Sequence, residues 1–166
     1  MGFLAISEII PPGCVIPFAG TTPPAGWLLC DGTQVSRATY AALYRAIGNA
    51  HGSGNGTTTF HLPDYRGRFL RGVDGAAGND PDKDGRTAMA AGGNAGNAVG
   101  SAQDDAFRSH AHGLNSLAGN YGDTAPTSGH PRDSGGQAFG VNTATFGNGG
   151  NETRPRNAYV NYIIKV

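Results

Sequence analysis

Charged side chains are scarce in this sequence of 166 residues: Asp, Glu, Lys and Arg together make up only 14% of it, against about 25% in a typical soluble domain. The 12 basic and 12 acidic residues cancel, so the formal net charge is zero. Nucleic acids and anionic membrane surfaces select proteins that carry a basic face. The composition therefore argues against nucleic-acid and membrane partners.

Long apolar runs and cysteines are also lacking. No apolar run approaches the roughly 18 residues of a membrane-spanning helix, and residues 1–12 have neither the basic region nor the long apolar region of a secretory signal peptide. Cys14 and Cys30 are the only cysteines, which is too few for a disulfide framework. They either form one bridge or serve as small buried side chains.

Glycine, by contrast, is abundant, at 28 of 166 residues. Its excess falls mainly between residues 73 and 150, where small and polar residues dominate and no long apolar stretch occurs. Disordered segments usually carry high charge, and this one does not. Because glycine lets backbones approach closely, we expect this segment to gain its order from neighbouring copies of the chain. The core of one copy is then small and lies in the first third.

One helix is predicted in that first third, at about residues 37–47. Its apolar stripe follows the spacing i, i+3, i+4, i+7 and consists of Tyr40, Leu43, Tyr44 and Ile47. Ser36 is the expected N-cap, and Gly48 is expected to end the helix at its C-terminal side.

Short strands are predicted around this helix. Residues 27–30 and 58–62 are apolar, β-branched or aromatic and are closed by turn residues, whereas residues 64–72 fit neither a strand nor a helix. In the last nine residues every second side chain is apolar: Ala158, Val160, Tyr162, Ile164 and Val166. This alternation predicts a terminal strand with one buried face, which joins the core of the first third.

His110 and His112 form the sharpest chemical signal in the sequence. Residues at i and i+2 point to the same side of a strand, so both imidazoles can reach one ion. Two ligands hold a metal poorly, but three copies around a threefold axis supply six nitrogens in octahedral geometry. That geometry favours iron(II) or another first-row ion over tetrahedral zinc. The alternative is a pair of exposed histidines without a ligand role.

The acidic run Asp80, Asp82 and Asp84 resembles the start of a calcium-binding loop. The position that would carry the bidentate glutamate of such a loop is occupied by Ala91. A solvated loop is therefore the favoured interpretation, with calcium binding as the minor alternative.

Residues 17–20, 24–32 and 59–72, together with the helix between them, closely resemble the phage tail-collar domain over roughly residues 11–74. The later His110 and His112, and residues 152–157 before the terminal strand, resemble the C-terminal tip of phage tail fibres, above all the short tail fibres of contractile-tailed phages. Residues 113–150 have no counterpart in this resemblance.

The resemblance implies an α+β fold: a small mixed collar domain at residues 1–74 with one helix and short strands. Residues 75–166 would follow as an extended Gly-rich β segment, intertwined with two other copies in a homotrimeric tip. This part would contain a receptor-facing insertion at about residues 113–150 and the C-terminal strand. His110 and His112 become ligands of a metal ion on the trimer axis, iron(II) first, with zinc or nickel as alternatives.

The resemblance also implies a function in host attachment, as a non-enzymatic part of the extracellular virion tail that is assembled in the host cytoplasm. Its expected partners are a fibre shaft or baseplate and a bacterial surface polysaccharide or outer-membrane protein. The candidate receptor-binding residues are aromatic and polar side chains of the insertion: Tyr121, Asp123, His130, Arg132, Phe139 and Phe146. Phe139 and Phe146 could equally anchor the intertwined core.

Two other functions remain open. The chain could be a purely structural collar or trimerisation module, with another protein recognising the host. Less favoured is a depolymerase of surface glycans, which needs a paired acid and base in a groove. Asp104, Asp105 and Asp123 are available for that chemistry, but nothing in the sequence pairs them.

Overall fold

Two distant parts of the chain meet in one antiparallel sheet. The computed structural model describes residues 10–106 and 155–166. Strands β1 (Val15–Phe18) and β2 (Trp27–Leu29) flank the C-terminal strand β7 (Asn161–Lys165), which pairs with both. The prediction that the terminal strand joins the core of the first third is therefore confirmed.

The prediction that only one face of the terminal strand is buried is wrong. Ile163, Ile164 and Lys165 are consecutive residues and all three are buried, so both faces of β7 are covered. A central strand has neighbours on both edges, and here packing covers both faces as well. Val160, expected on the buried face, is exposed because it precedes the first paired residue of β7.

The helix and a second sheet form the rest of the core. Strand β3 (Gln34–Ser36) pairs with β4 (Thr59–His61), and helix α1 (Ala41–Ile47) lies between them in sequence. The buried core side chains are Cys30, Leu43, Phe60, Leu62 and Ile164. One helix with short antiparallel strands is a mixed α+β architecture, as predicted.

The helix begins four residues later than expected. Arg37 donates its backbone N–H to the carbonyl of Thr58, at 2.9 Å, and so continues the pairing of β3 with β4 instead of starting a helix. Ser36 accepts the N–H of Thr39 and thereby caps the turn before α1, not α1 itself. The predicted C-terminal end is confirmed, since Gly48 has a φ of 54° and closes the last turn.

The Gly-rich segment is ordered within the chain over its described part. A 3-10 turn (Lys83–Gly85) leads into the two-residue strands β5 (Thr87–Ala88) and β6 (Ser101–Ala102), which pair with each other. Turns and loops connect these strands, in place of the extended β structure expected for this segment. Residues 64–72 form neither helix nor strand, as predicted, apart from one isolated bridge between Asp31 and Asp64.

The chain divides into two units. The first comprises Met1–Asp104 and Arg156–Val166, and the second comprises Asp105–Pro155. All the helices and strands described above belong to the first unit. The division into domains 1–74 and 75–166 stays a prediction. No helix in residues 10–106 or 155–166 is both long enough and apolar enough to span a bilayer.

Candidate functional site

The residues predicted to bind metal and receptor all lie outside the described part of the chain. They are His110, His112, Tyr121, Asp123, His130, Arg132, Phe139 and Phe146. Their roles stay predictions. The described residues show instead how the loops of the collar unit are held and which surface they leave exposed.

Asp74 organises the loop that follows the arginine-rich residues 66–73. Its side chain is only 2% exposed. Its carboxylate accepts the N–H groups of Gly78, Asn79 and Asp80 at 3.0, 2.6 and 3.0 Å, and the ammonium of Lys83 at 3.1 Å. Burial by itself would raise the pKa of Asp74, but these hydrogen bonds lower it to about 2. The carboxylate therefore stays ionised and holds residues 74–83 in one turn.

Asp80 is the second anchor of this loop. Its carboxylate is buried and lies 3.4 Å from the guanidinium of Arg71 and 3.8 Å from that of Arg86. Arg86 also donates to Ser101 on β6, at 3.0 Å, and so links the loop to the β5–β6 hairpin. The prediction of a solvated loop is therefore wrong for Asp80, which is buried. The minor alternative, a calcium loop, is not supported either, because two cations neutralise this carboxylate. Residues 10–106 and 155–166 bring no three His, Cys, Asp or Glu groups together for a metal.

Two glycine-rich loops, residues 49–56 and 90–100, dock on each other through their backbones. Asn94 and Ser53 donate their N–H groups to the carbonyls of Ala50 and Ala91, each at 2.9 Å. A Cβ on Gly100 would collide with the carbonyl of Ala50. We call this pair of loops the loop cradle. Its glycines permit the two backbones to approach each other closely within one chain. The glycine excess had been expected to serve such approach between separate copies.

Ring contacts link His51 of the loop cradle, through Tyr65, to Tyr162 of β7; His51 is buried and the two tyrosines are half-buried. The rings of His51 and Tyr65 meet edge to face with centroids 6.0 Å apart, and those of Tyr65 and Tyr162 do so at 5.9 Å. Burial, with a smaller contribution from Asp31, raises the pKa of the Cys30 thiol to about 12. The nucleophilic thiolate is therefore scarce at neutral pH. Both cysteines are free, which resolves the open question of a bridge.

Residues 66–73 expose large apolar side chains beside their three arginines. Phe69 is 65% exposed, and Leu70 and Val73 are about half exposed. Arg66 binds Asp64 with two hydrogen bonds, at 2.8 and 2.6 Å, and these lower the pKa of Asp64. The aromatic ring of Tyr159, just before β7, is also free of packing, since the residue is 94% exposed.

Sequence reasoning missed Asp74 and Arg86 as organising residues. The signal for Asp74 was present, because an aspartate followed by glycines one and four residues later is typical of a turn capped by its own side chain. For Arg86 there was no local signal of its bond to Ser101, since the two residues become neighbours only once β5 and β6 pair.

Comparisons with known proteins agree with the geometry of the first unit. The model of the family "Phage Tail Collar Domain" matches residues 13–70, which include β1 to β4 and α1. The chain is 42% identical to the protein RhiB of Rhizobium leguminosarum bv. viciae over 84% of its own length, and spans 64% of the length of RhiB. It is 31% identical to the putative uncharacterized protein StfE of Escherichia coli K12 over 98% of this chain and 92% of StfE. The chain therefore belongs to the phage tail collar family, a family of virion tail proteins.

Proposed function

We propose that the chain is the host-attaching tip of a phage tail fibre and works as a homotrimer. The observation that carries this proposal is the collar-family match over residues 13–70, combined with about 50 further residues, 105–155, that form a separate unit. A collar that positions an additional unit at the fibre end fits a receptor-binding function. The proposed receptor is a bacterial surface glycan or outer-membrane protein, and the proposed attachment point is a fibre shaft or baseplate.

The proposal includes no catalytic step. The Cys30 thiol is buried and its pKa is raised to about 12, and the imidazole of His51 is buried as well. The carboxylates of Asp74 and Asp80 are occupied by hydrogen bonds and ion pairs. Each of these groups thus serves packing or loop structure.

A purely structural collar is the second candidate function. The ion pairs of Asp74 and Asp80 and the backbone contacts of the loop cradle hold the loops of the described unit together, which suits a spacer as well as a receptor-binding tip. In that case another tail protein recognises the host, and residues 113–150 serve assembly alone.

Binding to whole cells separates these two functions. We expect the labelled protein, verified as a trimer, to bind bacterial cells or their lipopolysaccharide, and the variant Tyr121→Ala with Arg132→Ala to lose about tenfold or more in affinity. The matched control is Tyr159→Ala with Arg156→Ala, a tyrosine and an arginine that are exposed on the first unit. Equal losses in both variants, or no cell binding by an intact trimer, would favour the structural collar.

Metal binding at the trimer axis is the second part of the proposal. We expect His110→Ala with His112→Ala to remove iron(II), or zinc or nickel in its place, as measured by elemental analysis, and to lower the melting temperature of the trimer. Because imidazole must be neutral to ligate, the wild type should lose its metal below about pH 6. His130→Ala serves as a control that should keep the metal. Unchanged metal content in the double variant would exclude the axial site.

A further inference from the structure

Residues 66–73 form the most exposed stretch of the described collar unit and carry three arginines beside three large apolar residues. All eight residues are exposed, and Phe69 is the most exposed phenylalanine among the described residues, at 65%. In the described chain the backbone N–H and C=O groups of residues 69–73 make no hydrogen bond. An apolar stretch with free backbone groups is a typical template for pairing with another chain.

The charge on this stretch is incompletely neutralised. Arg66 and Arg71 contact Asp64 and Asp80, yet their side chains remain 70% and 52% exposed. Arg68 makes no salt bridge within the described residues, although its charge helps Arg66 to lower the pKa of Asp64. The stretch therefore presents a cationic surface around Phe69, and a matching partner must be acidic.

An acidic surface of this kind lies elsewhere on the same unit. Thr87 pairs with Ala102, so the residues just before β5 and just after β6 lie at the same end of the hairpin. Asp84 lies three residues before β5 and Asp104 two residues after β6, and Asp82 lies two residues before Asp84; all three are exposed. The cations of the same segment, Lys83 and Arg86, are already paired with Asp74 and Asp80. No cation lies within salt-bridge distance of their carboxylates in the part of the chain that the structure describes.

We propose that residues 66–73 of one copy bind the acidic hairpin end, formed by Asp82, Asp84 and Asp104, of the next copy. The exposed arginines of the first surface and the exposed carboxylates of the second are complementary in charge, so a contact between two copies would bring opposite charges together. Such a head-to-tail contact closes into a ring when the rotation fits, and each copy then uses both surfaces once. The inference rests on the proposed homotrimer and specifies which surfaces of the collar unit form it.

Charge reversal tests this contact directly. We expect Arg68→Glu to raise the dissociation constant of the assembly about tenfold or more, measured by light scattering over a range of concentrations. Asp84→Lys with Asp104→Lys should have the same effect. The chain that combines all three changes should regain the wild-type mass. Arg45→Glu, on the exposed side of α1, is the matched control and should leave the mass unchanged.

The outcomes separate this contact from the proposed function. A wild-type protein with the mass of one chain, 17.0 kDa, would overturn both the homotrimer and the contact. A wild-type trimer that Arg68→Glu leaves intact, or a chain with all three changes that stays dissociated, would overturn the contact alone. If Arg68→Glu stayed trimeric but no longer bound vesicles containing lipopolysaccharide, residues 66–73 would be assigned to an anionic glycan. That result would equally overturn the contact. Circular dichroism of each variant checks that the chains are folded.

Discussion

Replacing Gly100 with alanine is expected to lower the free energy of unfolding by about 3 kcal/mol or more. The φ angle of Gly100 is +93°, and an added Cβ would collide with the carbonyl oxygen of Ala50. That carbonyl is backbone and already accepts the N–H of Asn94, at 2.9 Å, so it cannot move aside without breaking the bond. Urea unfolding of wild type and variant at one protein concentration measures the difference.

Gly56→Ala is the matched control for this prediction. Gly56 also has a positive φ, of +86°, but nothing lies within 4 Å of the position that an added Cβ would take. Only the backbone strain of a non-glycine residue should remain there, about 1 kcal/mol. If both variants lost the same free energy, close approach of the two loops would not explain the glycine at position 100.

This pair of variants bears on the meaning of the glycine excess. The composition predicted close backbone contacts, and the loop cradle contains them. The sequence could not indicate which backbones approach each other, because glycine marks the need for space but not the partner. Gly52, Gly93 and Gly100 face Ala50 or Ala90 of the same chain, so at least this part of the excess serves intrachain packing.

Local patterns predicted the elements that depend on nearby residues. The end of α1 at Gly48 and the strands at residues 27–29 and 59–61 follow from turn residues and apolar spacing within a few positions. The start of α1 was missed because Arg37 pairs with Thr58, which is distant in the sequence. The central position of β7 was not indicated for the same reason, since its pairing with β1 and β2 joins residues that are distant in the sequence.

The candidate functional residues also differ in whether local sequence could indicate them. His110 and His112 are recognisable from spacing alone, and their shared function stays a prediction because it needs other copies of the chain. The exposed stretch around Phe69 was recognised only as irregular. Its cationic and apolar character became a candidate contact once Asp84 and Asp104 were seen to share one end of the β5–β6 hairpin.

Acid is expected to destabilise the folded chain through His51. This residue is 3% exposed, and its Nδ1 atom has no hydrogen-bond partner among the described residues. Burial lowers the pKa of His51 from 6.5 to about 4. Between these values the unfolded chain binds a proton that the folded chain does not, so the folded state gains stability as the pH rises. The contribution of His51 to the free energy of unfolding is complete above pH 6.5. As the pH falls to about 4, the folded state loses about 3 kcal/mol through this group.

The comparison of wild type with His51→Phe isolates this contribution. Phenylalanine keeps a ring against Tyr65 and needs no hydrogen bond, so the variant lacks only the titration. With a chelator present to remove the effect of metal, urea unfolding at about pH 7.5 and about pH 4.5 should show that the wild type loses about 2 kcal/mol more than the variant. Equal losses would mean that the carboxylates, not His51, govern the response to acid.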